Sequence, residues 1–211
     1  MPRPNQKPVR RPVRDPERTR QRILEAALKE FAAHGFAGAR VDAIARQAKS
    51  NKRMLYHYFG DKDGLFQAVL QFKLDKRMVR FKSYAVDDMT QVISQLFRQN
   101  CEDADWVRLL AWESLQTVDN RVQNEPDRRR RAVFTTKLIR RHQAAGTLKA
   151  GMKPEHFQLA MASLAIFPMA LPQLTRLITG RPVDDPKFQR EYGKFLETIS
   201  AQFRPSTVAA K

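Results

Sequence analysis

The sequence predicts an all-α chain in two parts, a three-helix unit near the N-terminus and a larger helical bundle behind it. Apolar residues recur at three- and four-residue spacing from residue 16 onward, without the alternation that marks strands. Helix-start signals stand ahead of the early runs, Asp15 before Pro16 and Glu17, Asn51 before Lys52, and Asp61 before Lys62. Between a long first run and the bundle lie two short runs of about two turns each, separated by only a few polar residues.

Residues 1–14 alternate Pro with Arg and Lys and offer no apolar face, so they read as a disordered basic arm. The first helix starts with Asp15 as cap, Pro16 at its first position and Glu17 against the positive end of the dipole. Its apolar face is Ile23, Leu24, Ala27, Leu28 and Phe31, and Gly35 is the expected left-handed stop. Val41, Ile44, Ala45 and Ala48 make a short second helix, ended by Lys49-Ser50-Asn51. Met54, Leu55, Tyr58 and Phe59 supply the core positions of a third, broken at Gly60. A fourth begins at Asp61 and shows Leu65, Phe66, Val69 and Phe72. Further helices are predicted over 88–100, 104–119, 124–145, 154–179 with a bend at Pro168 or Pro172, and 185–203. The expected division is 15–62 for the small unit, 63–205 for the bundle and 206–211 for a tail.

Lys and Arg number 39 against 22 Asp and Glu, a net charge of +17 with a pI near 10.6, which favours a polyanionic partner. Residues 1–62 hold 15 basic and 6 acidic side chains, so the small unit is the more basic part for its length. Cys101 is the single cysteine, which excludes an internal disulfide and fits a reducing cytoplasm. No signal-peptide core is present, and the longest apolar stretch, Leu159 to Leu171, falls short of the ~20 residues a membrane span needs. His34, His57, His142 and His156 have no metal-ligand spacing, and neither a P-loop nor a Gly-x-Ser-x-Gly elbow occurs. The expectation is therefore a cytoplasmic non-enzyme with no cofactor, metal or catalytic residues.

The short helix pair has the parts of a helix-turn-helix, in which the second helix enters a major groove. Particular residues sharpen this reading. Thr19-Arg20-Gln21-Arg22-Ile23-Leu24-Glu25-Ala26-Ala27, Phe31, Gly35-Phe36, Val41-Asp42-Ala43-Ile44-Ala45 and Leu55-Tyr56-His57-Tyr58-Phe59-Gly60-Asp61-Lys62-Asp63-Gly64-Leu65 together resemble the DNA-binding domain of the TetR/AcrR family of transcriptional regulators. The resemblance implies a homodimer on a pseudopalindromic operator in double-stranded DNA, with a C-terminal half that commonly takes a small-molecule effector. Two departures stand out. Ala39-Arg40 replaces the family's Thr-Thr, so the hydroxyl that caps helix two and touches phosphate is missing and Arg40 is the expected DNA contact in its place, and Lys49 replaces a turn glycine at an expected cost of ~1 kcal/mol if its φ is positive.

Asn51, Lys52 and Arg53 open the third helix, and an Arg there can bond guanine O6 and N7, so Arg53 is the expected base reader. Tyr56, His57 and Lys62 match family positions that reach phosphate, while Arg40, Gln47 and Arg46 are further candidates. Arg10, Arg11 and Arg14 could enter an adjacent minor groove. Tyr58 and Phe59 read as core.

In the bundle, Phe157, Met161 and Leu164, with Phe188, Tyr192, Phe195 and Ile199, form two seams suited to dimerisation. Trp106, Leu109, Leu110, Trp112, Phe134, Leu138, Met161 and Phe167 are the bulky candidates for an effector pocket, with Glu113 or His142 as a polar anchor. The run Arg128 to Arg131 reads as a solvated face. The rival to a specific DNA-binding regulator is a ligand-binding helical protein whose DNA binding has become non-specific, a reading sustained by Arg40 and Lys49.

Overall fold

Ten α-helices and one 3-10 turn build the computed structural model, which describes residues 15–116 and 122–205, and no strand occurs among them. The basic arm, its three arginines and the tail lie outside the described residues.

Helix α1 spans Pro16–Gly38, and Asp15 caps it by accepting from the amides of Glu17 and Arg18. Ile23, Leu24, Ala27 and Phe31 are buried, as their spacing requires. The regular helix stops at Gly35, whose φ of 67° and ψ of 178° leave Phe36–Gly38 as a separate last turn. The stop at Gly35 was expected, but its ψ is extended rather than left-handed helical. A close neighbour also demands glycine here. A Cβ built on Gly35 would lie 2.8 Å from the six-membered ring of Trp112.

Helices α2 (Val41–Gln47) and α3 (Lys52–Phe59) meet across a turn in which Lys49 has φ 49°, the positive value suspected for it. Asn51 Oδ1 accepts from Met54 N and starts α3. Helix α4 covers Lys62–Ala85 and continues past the core face expected from Leu65 to Phe72, and Asp61 caps it through Gly64 N. Gly64 admits no side chain, because a Cβ there would overlap the Phe59 carbonyl oxygen.

The 3-10 turn Met89–Gln91 leads into α5 (Val92–Glu102), followed by α6 (Ala104–Gln116), α7 (Glu125–Ala144), α8 (Pro154–Ala170), α9 (Pro172–Thr179) and α10 (Pro186–Ala201). Helices α8 and α9 are bent by 88° at Leu171, placing the expected break before Pro172. Among the described residues no single helix is long and apolar enough to cross a membrane.

Two apolar clusters form the interior. One joins α1, α2, α3 and the first half of α4 to Trp106, Val107 and Leu109 of α6. The other gathers Phe81 and Ala85 of α4 with α5, α7, α8 and α10. Helix α4 thus contributes to both clusters.

The Arg128 to Arg131 run is not a simple solvated face. Arg128 pairs with Glu113 of α6 at 2.5 Å, while Arg131 reaches Asp127, Asp75 and the Leu74 carbonyl and so fastens α7 to α4. Arg129 and Arg130 are exposed.

Candidate nucleic-acid interface

Helix α3 has two faces because eight residues hold both core and surface positions. Leu55 is buried, Met54 is half-buried, and Tyr58 and Phe59 are half-buried against the first cluster, which fits the core role expected for Tyr58 and Phe59. Lys52, Arg53, Tyr56 and His57 fall one turn apart on the opposite face, since i and i+4 positions are neighbours. All four are exposed. Arg46, Gln47, Lys49 and Asn51 continue this exposed polar surface through the turn.

Electrostatics separate the two cations of α3. Lys52 Nζ lies 2.7 Å from Asp42 Oδ1 on α2, an ion pair that raises the lysine above its ordinary pKa through the hydrogen bond to that carboxylate. Lys52 is therefore a charged brace between α2 and α3 as well as a surface cation. Arg53 has no ion-pair partner among the described residues. The His57 ring leans on Tyr58 with centroids 5.4 Å apart.

Arg40 begins α2 without a side-chain cap. Its amide is satisfied instead by Glu30 Oε1 at 3.0 Å, a buried carboxylate from α1. Lys62 points back across the unit, donating to the Ala37 carbonyl at 3.2 Å with its ammonium 5.0 Å from the Phe36 ring centre. It is half-buried and spends part of its charge on the fold. Glu30 and Asp42 are the positioning residues that periodicity missed. Glu30 carried one signal, an acid beside Phe31 on an otherwise apolar face, whereas the Asp42 to Lys52 pair crosses between helices and leaves no trace in spacing.

The bundle candidates do not converge. Trp106 is buried in the first cluster, with Leu109, and Leu110 packs against it. Trp112 lies on α1 and donates from Nε1 to the Ala32 carbonyl at 3.2 Å. Glu113 holds Arg128, and Leu138 and Met161 belong to the second cluster. Phe134 and Phe167 are exposed. Phe134, with Lys82 over its ring, borders an open groove of about 590 Å³ shared with Arg129, Arg130 and Lys137. His142 is buried, with Nδ1 against Thr147 Oγ1 and Nε2 against the Ala85 and Val86 carbonyls, so it staples α7 to the end of α4.

The proposed seams also divide. Phe157, Met161 and Phe188 are at most 4% exposed in the single chain, which leaves them nothing to offer a second copy. Each shares its helix with an outward face that helical spacing alone did not separate from the inward one. Phe195 is 49% exposed, and Leu164, Tyr192 and Ile199 are half-buried. Leu159, at 66%, and Phe167 are exposed on α8, positions the seam reading passed over.

With this geometry in view, the likeness to known proteins is informative. Residues 23–69 match the family model described as bacterial regulatory proteins, tetR family, and residues 88–199 match that of the tetracyclin repressor-like C-terminal domain. Over 159 residues the chain is 32% identical to the HTH-type transcriptional repressor SCO4008 of Streptomyces coelicolor, covering 75% of this chain and 82% of that protein. It is 31% identical to the HTH-type transcriptional repressor NicS of Pseudomonas putida, covering 70% and 74%. The fold also resembles the crystal structure of a transcriptional regulator, SCO4942 of Streptomyces coelicolor, with a TM-score of 0.68, 26% identity and coverage of 89% and 99%.

Proposed function

Because the chain belongs to the TetR family of bacterial regulatory proteins, we propose that it is a sequence-specific DNA-binding transcriptional repressor that reads its operator with α3. The observation that carries this reading is the shared exposed face of Lys52, Arg53, Tyr56 and His57 on a helix whose other face is anchored in the core. Arg53, held by no carboxylate, bonds a guanine edge. Lys52, Tyr56, His57, Asn51, Gln47 and Arg40 position the head against phosphates, and Lys62 adds charge at the start of α4. The working division is a head over 15–62 and a regulatory and dimerisation part over 63–205.

The repressor acts as a homodimer, so that two heads address successive major grooves. Leu159 and Phe167 of α8 and Phe195 of α10, with half-buried Leu164, Tyr192 and Ile199 beside them, support a dimer surface on these two helices. A small-molecule effector releases the operator by favouring the conformation in which the heads are wrongly spaced. Equal affinity for both conformations would regulate nothing. The protein works in the cytoplasm, where its DNA is.

Selection of binding sequences from a random duplex pool, followed by gel shifts with competitor DNA, tests the proposal. An inverted-repeat site that survives competitor is expected, and Arg53→Ala should relax preference at one base by ~1 to 3 kcal/mol. Recovery of no consensus, with binding lost to competitor at every salt concentration, would favour the non-specific rival.

A further inference from the structure

Helix α6 belongs by sequence to the bundle, yet Trp106, Val107 and Leu109 lie in the same core as α1, α2 and α3, so a helix from outside the head completes its interior. Trp112 carries that contact to the end of α1. It is half-buried, its ring closes on Gly35, and its Nε1–H is donated to the Ala32 carbonyl at 3.2 Å. We propose that, given the DNA-binding reading on which this rests, Trp112 is a positioning residue for DNA recognition: its indole fixes the direction in which the chain leaves α1, and with it the placement of α2 and α3.

Three observations put the indole where that direction is decided. First, the chain turns at Gly35, with φ 67° and ψ 178°. These angles swing the next amide off the helical path, and the Ala32 carbonyl, whose helical donor would be the Phe36 amide, takes the indole N–H. Second, the ring fills the space beside the turn. A Cβ on Gly35 would lie 2.8 Å from Cδ2 and Cε3 of Trp112, so the turn cannot shift towards the indole without displacing it. Third, the turn is joined to α3 by short bonded steps. The Ala39 amide bonds the Gly35 carbonyl at 3.1 Å, the Arg40 amide bonds Glu30 Oε1 at 3.0 Å, and Asp42 of α2 holds Lys52 of α3 at 2.7 Å. The other side of the last turn of α1 is held by α4, where Phe66 meets the Phe36 ring at 5.4 Å and Lys62 bonds the Ala37 carbonyl. Trp112 is thus the α6 jaw of a clamp, and the adjacent Glu113, paired with Arg128 at 2.5 Å, ties that end of α6 to α7.

Specific and non-specific binding make different demands on this placement. A bidentate bond from Arg53 to guanine needs both donors within about 3.2 Å of their acceptors, and a displacement of ~1 Å at α3 forfeits it. Binding to duplex of arbitrary sequence depends on summed cationic charge and tolerates the same displacement. Loss of the indole should therefore divide the two kinds of binding. A fold that was merely weakened would lose both in the same proportion.

The test uses gel shifts of the full chain, well below its melting point, on the selected operator duplex and on a random duplex of equal length. The proteins are the parent, Trp112→Leu, Trp112→Phe, Arg53→Ala, the double variant Trp112→Leu/Arg53→Ala, and Trp106→Phe as a core control on the same helix. Trp112→Leu should bind the operator at least tenfold more weakly and the random duplex less than twofold more weakly. Trp112→Phe, which keeps a ring but no N–H, should lose about threefold on the operator alone. Trp106→Phe should change both duplexes alike. In the double variant the loss should fall short of the product of the two single losses, because the indole acts through the placement of Arg53. Proportionate losses on both duplexes in the Trp112 variants, or multiplied losses in the double variant, would overturn the assignment. Should Trp112→Leu not fold, Trp112→Phe decides by the same comparison of duplexes. A parent that selects no consensus overturns the DNA reading and this assignment with it, whereas a parent with a consensus that the Trp112 variants bind equally well overturns this assignment alone.

Discussion

The Tyr192 hydroxyl donates to the Leu164 carbonyl at 3.0 Å, and that carbonyl is the one Pro168 leaves without its helical amide. Proline lacks an N–H, so position 168 cannot complete the bond to the residue four earlier. Helix α10 supplies the missing donor. The same solution recurs one turn on, where Pro172 orphans the Pro168 carbonyl and Thr175 Oγ1 reaches it at 3.2 Å.

Tyr192→Phe should therefore destabilise the fold by ~1 to 2 kcal/mol, the cost of a buried acceptor left unmade. In a Pro168→Ala background, where the backbone regains an amide donor at that position, the loss should shrink. A double-mutant cycle by urea unfolding measures the difference, and strict additivity would contradict this account.

Gly35→Ala carries two penalties at once, a φ of 67° with extended ψ and a Cβ placed 2.8 Å from the Trp112 ring. A loss of ~2 to 3 kcal/mol is expected, with a shift in tryptophan fluorescence as the indole is displaced. Unchanged emission together with unchanged stability would show that the ring does not occupy that space.

Lys49→Gly should move stability and DNA binding in opposite directions. Glycine relieves the φ of 49°, raising stability by ~1 kcal/mol. The lost cation should reduce the slope of log affinity against log salt by about one. Chemical unfolding and salt-dependent gel shifts read the two effects separately.

Cys101 should resist alkylation at pH 8. Burial, and then the Glu102 charge, push its thiol up to about 11 from an ordinary 9.0. At pH 8 the thiolate is then roughly a thousandth of the population, so iodoacetamide should react much more slowly than with the unfolded chain. Because the folded-state value is the raised one, the neutral thiol favours the fold at lower pH, and that contribution declines as pH climbs from about 9 to about 11. Mass spectrometry of timed reactions checks the rate.

The head was legible because its signals are local. Asp15, Asn51 and Asp61 each bond an amide two or three residues ahead, and those bonds are written in consecutive letters. For helix α4 the spacing showed a core face only as far as Phe72, after which Lys73, Asp75, Lys76, Arg77 and Arg80 interrupt the apolar pattern. In the fold, Lys73 and Arg77 meet Asp103, Asp75 meets Arg131 and Arg80 meets Glu102, partners 22 to 56 residues away. The same limit applies to α8 and α10. Periodicity found Phe157 and Phe188 but could not say that one chain alone would consume them.

Helix α4 runs unbroken for 24 residues, about 36 Å at the usual rise, with its first turns seated in one core and its last in the other. Mechanically it is a strut clamped at both ends, so the two halves cannot pivot independently without bending it or slipping a clamp. A five-degree tilt at one end would carry the other about 3 Å, on the order of a side-chain contact. Stiffness in this one rod therefore sets how faithfully a disturbance in the rear of the molecule arrives at the surface that carries Arg53.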